Sequence, residues 1–297
     1  LDGNSVLHRA YYALPDWINR SGEATAGVYG FFSMLLKAIE ELKPTHLAVV
    51  FDCPEPTFRH NMYVGNQTNR ERERQVSEDI WGQVEKLKIV FERMKIPVFS
   101  VAGFEADDVI GTLARRVIDE HMIGARDQHV IIITGDRDLM QLVNEQVGLY
   151  MPQKGLSDGQ IIDRDKVRGK LGVWPEQVVD YKALVGDSSD NYPGVVGIGP
   201  KTAVDLISNY SNYSEIFKNL NKIKESVRQK LINGYEGGEL SKRLATIKTD
   251  VPVTIDERVM RIPNEHMILG VLKELGYKSL VKRVGGEIEV NQVGLFF

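Results

Sequence analysis

Short apolar runs that end on acids, with helical stretches between them, constrain this chain more than any other feature. "HLAVVFD" (46–52) is a buried strand in length and composition and ends on Asp52. "HVIIIT" (129–134) is another, and it runs into "GDRD", with Asp136 and Asp138. A shorter strand, "VFSVAG" (98–103), leads into a helix over 105–121. Helices over 4–14, 25–42 and about 81–94 fill the remaining space; the second carries Val28, Phe31, Phe32, Leu35, Leu36 and Ile39 at helical spacing. Strands alternating with helices predict βαβ units, hence an α/β fold with a mostly parallel central sheet flanked by helices.

The character changes after Gly155. "SDGQIIDRDKVRGKLGV" (157–173) predicts a short strand or turn and then a helix. From 175 onward the pattern is helical, with breaks at 186–200, 209–213 and 233–238. The expected organisation is therefore an α/β core over 1–174, a helical region over 175–290 and a tail over 291–297. Residues 58–80 are polar and arginine-rich, with weak periodicity. The opening "LDG" reads as the end of an apolar strand, so the natural start is expected upstream. One cysteine, Cys53, excludes a disulfide framework and suits a reducing cytoplasm. No apolar run approaches the ~20 residues of a membrane span.

The acids are placed where a parallel α/β sheet binds ligands, beyond the carboxyl ends of its strands. Asp2 follows the first strand remnant, Asp52 the second, and Asp136 and Asp138 the "VIIIT" strand. "GFEADDVIG" (103–111) adds Glu105, Asp107 and Asp108 at the start of a helix, and "GDSSDN" adds Asp187 and Asp190. Any one of these is ordinary capping or turn chemistry; their convergence on one edge is not. Crowded carboxylates repel one another, and divalent cations relieve the repulsion. Hard oxygen donors without His or Cys suit Mg²⁺ or Mn²⁺ rather than zinc. Several such donors could hold two ions about 4 Å apart, the arrangement suited to phosphodiester chemistry. The net charge of −4 alone argues against a nucleic-acid partner. Setting the nine clustered acids aside leaves 32 acidic against 37 basic residues, an acidic pocket in a mildly basic shell.

A second clue is "GVVGIGPKTAVDLI" (194–207). Gly197, Ile198 and Gly199 form a tight turn, and Pro200 takes a favoured first helical position. The free N–H groups there, beside Lys201 and Thr202, make a ready phosphate site; the whole pattern resembles a helix–hairpin–helix element, which implies a grip on duplex DNA by its backbone without reading sequence. The Gly-x₄-Gly-Lys-Ser/Thr spacing of a P-loop is absent.

Six segments taken in order resemble the 5′ nuclease (5′→3′ exonuclease) domains of bacterial DNA polymerases I, members of the flap endonuclease family. They are "LDGNSVLHRAYYAL", "VVFDCPEPTFRH", "GFEADDVIGTLA", "TGDRDLMQLV", "ALVGDSSDNYPGVVGIGPKTA" and "LATIKTDV". The resemblance spans essentially the whole chain. It implies a PIN-like core and an Mg²⁺-dependent nuclease that cuts 5′ flaps and 5′ ends during Okazaki-fragment processing and repair. It also implies that the nine acids surround the metals, some through water, with Arg9 and Arg59 near the scissile phosphate. K⁺ is implied at the hairpin carbonyls. The implied partners are flapped or nicked duplex DNA and a fused polymerase domain. The implied setting is a monomer in the bacterial cytoplasm, associated with the nucleoid. "QVGLFF" (292–297) resembles a sliding-clamp-binding peptide, against the plainer reading of Gln292 to Phe297 as an apolar tail or the start of another domain.

One departure stands out. The family carries a Tyr-Lys-x-x-Arg-like segment after "FRH", on a helical arch expected around 60–95. Here Asn66 and Gln67 replace Tyr and Lys and only Arg70 is kept; in a shifted alignment "YVGNQ" loses both basic residues. Neither supplies the arch lysine. Two other readings therefore stay open: a DNA-junction-binding module with weak or lost cleavage, and a metal-dependent RNase of the PIN-like class.

Overall fold

The computed structural model describes residues 1–14, 26–63, 74–120, 129–153, 159–256 and 258–285. Its strands are β1 (Val49–Val50), β2 (Val98–Phe99), β3 (Val130–Ile133), β4 (Val147–Pro152) and β5 (Gly159–Ile162). β1 pairs with β2 in parallel and β3 with β4 in parallel. The first two residues join these halves. Val50 donates its N–H to the Leu1 carbonyl (2.9 Å), and Asp2 donates to the Ile133 carbonyl (3.0 Å). Asp2 thus occupies a strand position between β1 and β3, parallel to Val50.

The sheet is mixed, not mostly parallel, because β5 runs antiparallel to β4. Six residues separate Pro152 from Gly159, whereas a parallel crossover needs a dozen or more. β4 itself lay hidden in "VGLYMP", whose Gly and Pro depress the strand pattern.

Helices α1 (Gly3–Ala13), α2 (Ala26–Leu42), α3 (Phe58–Met62) and α4 (Arg74–Arg93) precede α5 (Ala106–Asp119) and α6 (Arg164–Leu171). The later ones are α7 (Val178–Val185), α8 (Pro200–Tyr210), α9 (Tyr213–Lys218), α10 (Glu225–Asn233), α11 (Tyr235–Ala245), α12 (Glu265–Glu274) and α13 (Lys278–Arg283). One core packs Val6, Phe31, Phe91 and Val49 with Leu272 and Leu280, so α12 and α13 lie with α1, α2 and α4. The other runs from Val50 and Ile132 through Val109 and Leu149 to Leu184, Ile207 and Val251. The helical region after 175 therefore shares both cores with the sheet rather than forming its own. No helix among the described residues is long and apolar enough to cross a membrane.

The break expected at 233–238 shrinks to Gly234, and α11 runs through Gly237 and Gly238. A Cβ at Gly238 would lie 2.1 Å from the Tyr213 hydroxyl, so close packing accounts for a glycine inside this helix. In contrast, residues 246–256 leave helix altogether, and their first part packs back against α5 and Gln141. Ile247, Lys248 and Val251 donate their N–H groups to Gln141 (3.0 Å), Asp108 (2.8 Å) and Thr112 (3.1 Å). These partners lie more than a hundred residues away, which is why no local pattern announces the segment.

Arg59 ties this return segment to the sheet. Its Nε donates to the Leu244 carbonyl (2.8 Å) and Nη2 to the Thr246 carbonyl (2.7 Å). Nη1 and Nη2 grip Asp108 at 2.6 and 2.8 Å, and Nη1 also reaches Glu105 (3.0 Å). All five N–H donors of a guanidinium are used. Asp108, with no exposure, takes further N–H groups from Glu105 (3.2 Å) and Lys248. Removing one member of a buried pair strands the other charge. Arg59→Ala should cost about 3–5 kcal/mol of folding stability, read as a lowered urea midpoint with an unchanged m-value; a loss below about 1 kcal/mol would show the pair to be dispensable.

Candidate functional site

A cleft of about 1870 Å³ opens beyond the carboxyl ends of β1 and β3. Asp2, Asp52, Glu105 and Asp107 line one part of it, and Asp136, Asp138, Asp187 and Asp190 the other. Asp2 is held by its neighbours: it accepts from the Ser5 N–H (3.0 Å) and the Thr134 hydroxyl (2.7 Å). The Thr134 oxygen in turn accepts from the Asp136 N–H (2.9 Å). Asp52 accepts from the N–H of Ala106, the first residue of α5, at 2.8 Å. Strand ends and helix starts thus aim the carboxylates through their own backbone.

Protonation reflects the crowding. Burial, with the like charges of Asp52 and Asp136, pushes Asp2 up to about 6 despite its donors. Asp107 rises well above the carboxylate range, through burial and then Asp136, Asp2, Asp138 and Asp52. A raised acid destabilises the fold as pH climbs from its ordinary value to its folded one, because the folded state holds the extra proton. For Asp2 that window lies between 3.8 and about 6. A cation in the cleft would offset this penalty.

Three carboxylates come closest. One oxygen each from Asp138, Asp187 and Asp190 lie within 4.8 Å of one another, a donor set that could hold a hard divalent ion. In this structure a lysine answers their charge. Lys182 Nζ binds Asp138 and, at 2.7 Å, Asp187. Burial works against its proton, but Asp138 and the bond to Asp187 outweigh it and hold the ammonium above its ordinary value. Asp138 nevertheless rises to about 7, burial and Asp136 prevailing over Lys182. Asp187 is half-buried, yet its bonds to Lys182 and Ser189 hold it below the usual range. Sequence reasoning missed Lys182. Its one signal is a cation facing inward from the otherwise apolar run "YKALV".

Two expected site residues have other work. Arg59 has no N–H left for a phosphate, and Asp108 accepts four donors and stands outside the cleft lining. Their full bonding makes them a frame for the start of α5, with Arg59 also in the cleft lining. Glu105 stays on the rim, bonded to Thr57 (3.0 Å) and Arg59. Arg9 lines the cleft and donates to the Gln153 carbonyl (2.8 Å). Arg70 lies outside the described residues, as do 292–297.

The loop from Gly186 to Gly199 serves two surfaces. Its first residues carry Asp187 and Asp190 into the cleft; its last form the hairpin before α8. Gly194 has φ +61°, and a Cβ there would strike the Gly186 nitrogen at 2.2 Å. That contact pinches the loop closed. Ile198 is buried in the core and anchors the turn, while Gly197, Gly199 and Lys201 face outward and Thr202 is half-buried. Gly199 caps α8 without a side chain. Lys230 reaches from α10 to donate to the Gly197 carbonyl (3.1 Å), an oxygen expected to be available to K⁺.

Two family profiles match the chain: the 5′-3′ exonuclease N-terminal resolvase-like domain over residues 1–172, and the 5′-3′ exonuclease C-terminal SAM fold over 173–267. DNA polymerase I of Caldicellulosiruptor bescii is 38% identical over 290 residues, covering 96% of this chain and 33% of that protein. DNA polymerase I of Bacillus subtilis is 33% identical, covering 96% and 32%. The chain therefore spans about a third of the length of these curated relatives. The fold is that of the bacteriophage T5 flap endonuclease solved with DNA and metal ions (TM-score 0.67, 17% identity, 95% of this chain and 96% of that one). The T5 5′-exonuclease with bound zinc is similar as well (TM-score 0.65, 23% identity, 92% and 97%). By profile, relatives and fold, this chain belongs to the 5′-3′ exonuclease family, with the 5′ nuclease domains of bacterial DNA polymerases I.

Proposed function

We propose that the chain is a structure-specific 5′ nuclease that hydrolyses phosphodiesters at 5′ flaps and 5′ ends of duplex DNA, in replication and repair. The observation that carries this reading is the convergence of acids from separate elements on one cleft, with the Lys182 ammonium bonded among them. Asp138, Asp187 and Asp190 would hold one Mg²⁺; Asp2, Asp52, Asp107 and Asp136 would hold or orient a second. Mn²⁺, another hard dication, would substitute. Bound there, the cations would supply Lewis acidity to a water and to the scissile phosphodiester. Arg9, at the cleft wall, would steer the phosphate, and Arg70 would add positive charge to the same substrate. Thr134 and Ser5 keep Asp2 aimed, so the carboxylates need not reorganise when a substrate arrives.

The division of labour would be a nuclease core over 1–174, with its arch around 60–95, and a DNA-binding helical region over 175–290. In the second, Gly197, Gly199, Lys201 and Thr202 would grip duplex phosphate, with Ile198 as the anchor beneath. K⁺ at the hairpin would have to share the Gly197 carbonyl with Lys230. A fused polymerase domain fits the length of the relatives, and a clamp contact through Gln292–Phe297 is the corresponding reading of the tail. A monomer in the bacterial cytoplasm, beside the nucleoid, completes the proposal.

A 5′-flap duplex incubated with Mg²⁺, and bound separately in Ca²⁺, tests it. Cleavage near the junction is expected. Asp136→Asn should slow it by at least about a hundredfold with little change in flap affinity. Tight binding with no turnover in Mg²⁺ would leave a junction-binding module instead, and preferential cutting of RNA would move the chain to a different substrate class.

The hairpin makes a separate forecast. Lys201→Ala should weaken duplex binding and reduce the slope of log K against log salt by about 0.9, one phosphate's worth. An unchanged slope would reduce the turn to a helix cap.

A further inference from the structure

Tyr192 is 5% exposed, and its hydroxyl, in the wall of the cleft, has no hydrogen-bond partner. Buried hydroxyls are nearly always bonded, so an orphan in a native wall calls for a physical reason. The ring is not free to look elsewhere. Tyr192 and Asp187 exchange both backbone hydrogen bonds at 3.0 Å, and the side chain packs with Leu244 and Ala245. Its neighbour is Lys182, whose Nζ lies 6.0 Å from the ring centroid.

Lys182 now binds Asp138 and Asp187, two of the three carboxylates that approach within 4.8 Å. An ammonium and a divalent ion on the same carboxylates repel each other and compete for their lone pairs. Loading a cation on all three acids therefore favours withdrawal of Lys182 from them. A buried ammonium without acceptors is costly, so its release needs another oxygen nearby. Lysine has a flexible stem, and a tyrosine hydroxyl can accept as well as donate. Among the buried unpartnered oxygens of the described residues, the Tyr192 hydroxyl is the one beside Lys182.

We infer that Tyr192 is a positioning residue for cation loading: its hydroxyl receives Lys182 Nζ when a divalent ion takes Asp138, Asp187 and Asp190. The inference rests on the metal reading proposed above.

Mn²⁺ titrations of the whole chain without DNA, with free Mn²⁺ read by electron paramagnetic resonance, separate the two. Lys182→Met, which removes the competing ammonium, should bind Mn²⁺ more tightly than the unaltered chain. Tyr192→Phe, which keeps the ring, should bind it roughly ten- to a hundredfold more weakly, the size of a hydrogen bond to a charged group. In the Lys182→Met background the same Tyr192→Phe change should have no effect. Equal effects of Tyr192→Phe in both backgrounds, or none in either, would overturn the inference while leaving the metal site standing. No Mn²⁺ uptake by the unaltered chain would fell the metal reading and this inference with it. Lys182→Gln serves the cycle if the Met variant does not fold, as circular dichroism would show.

Discussion

Carboxylate repulsion is the constraint around which this molecule is organised. Two unit charges 4.8 Å apart, as within the Asp138–Asp187–Asp190 group, repel by about 3–4 kcal/mol at an effective dielectric near 20. A few such pairs approach the whole stability of an ordinary domain, about 5–15 kcal/mol. The chain tolerates them by three means. Protons stay on Asp2 and Asp138 at higher pH than usual, backbone N–H groups and the Thr134 hydroxyl donate to the carboxylates, and Lys182 places one positive charge among them. Each of these is weaker than a divalent ion would be. That difference would drive uptake of the proposed ion.

The scaffold supplies rigidity from behind the cleft and engages one of its acids, Glu105. Arg59 and Asp108 saturate each other and the neighbouring backbone, just behind the acids of α5. Because the pair also holds Leu244, Thr246 and Lys248, the end of α11 and the segment that follows it are fixed to the start of α5. A change in either place is transmitted to Glu105 and Asp107 through one buried contact.

The 186–199 loop couples the two proposed surfaces in a similar way. Its acids and its hairpin are separated by the pinch at Gly186 and Gly194, and both ends are packed on the same core through Leu184, Val195 and Ile198. A duplex held at the hairpin would therefore sit at a set displacement from the cleft. Position relative to the junction, rather than base identity, is what such a ruler can read.

Sequence alone determined the elements that depend on local pattern. The buried runs ending on Asp52 and at "VIIIT", the amphipathic α2, the start of α5 at Glu105 and Pro200 opening α8 all follow from periodicity and capping, and most of the acids follow from their places after those elements. Tertiary structure decided what depends on partners distant in the chain. β4 and the antiparallel β5 arise from pairing geometry, and the non-helical return after α11 from hydrogen bonds of Ile247 and Val251 to residues more than a hundred positions away. The same holds for function at single residues. Arg59 and Asp108 look like site residues in sequence, but folding spends their donors and acceptors on each other; Lys182 and Tyr192 look like core, but folding delivers them to the acids. A residue type states which bonds a side chain can make, and only the packed chain decides which of them are still open.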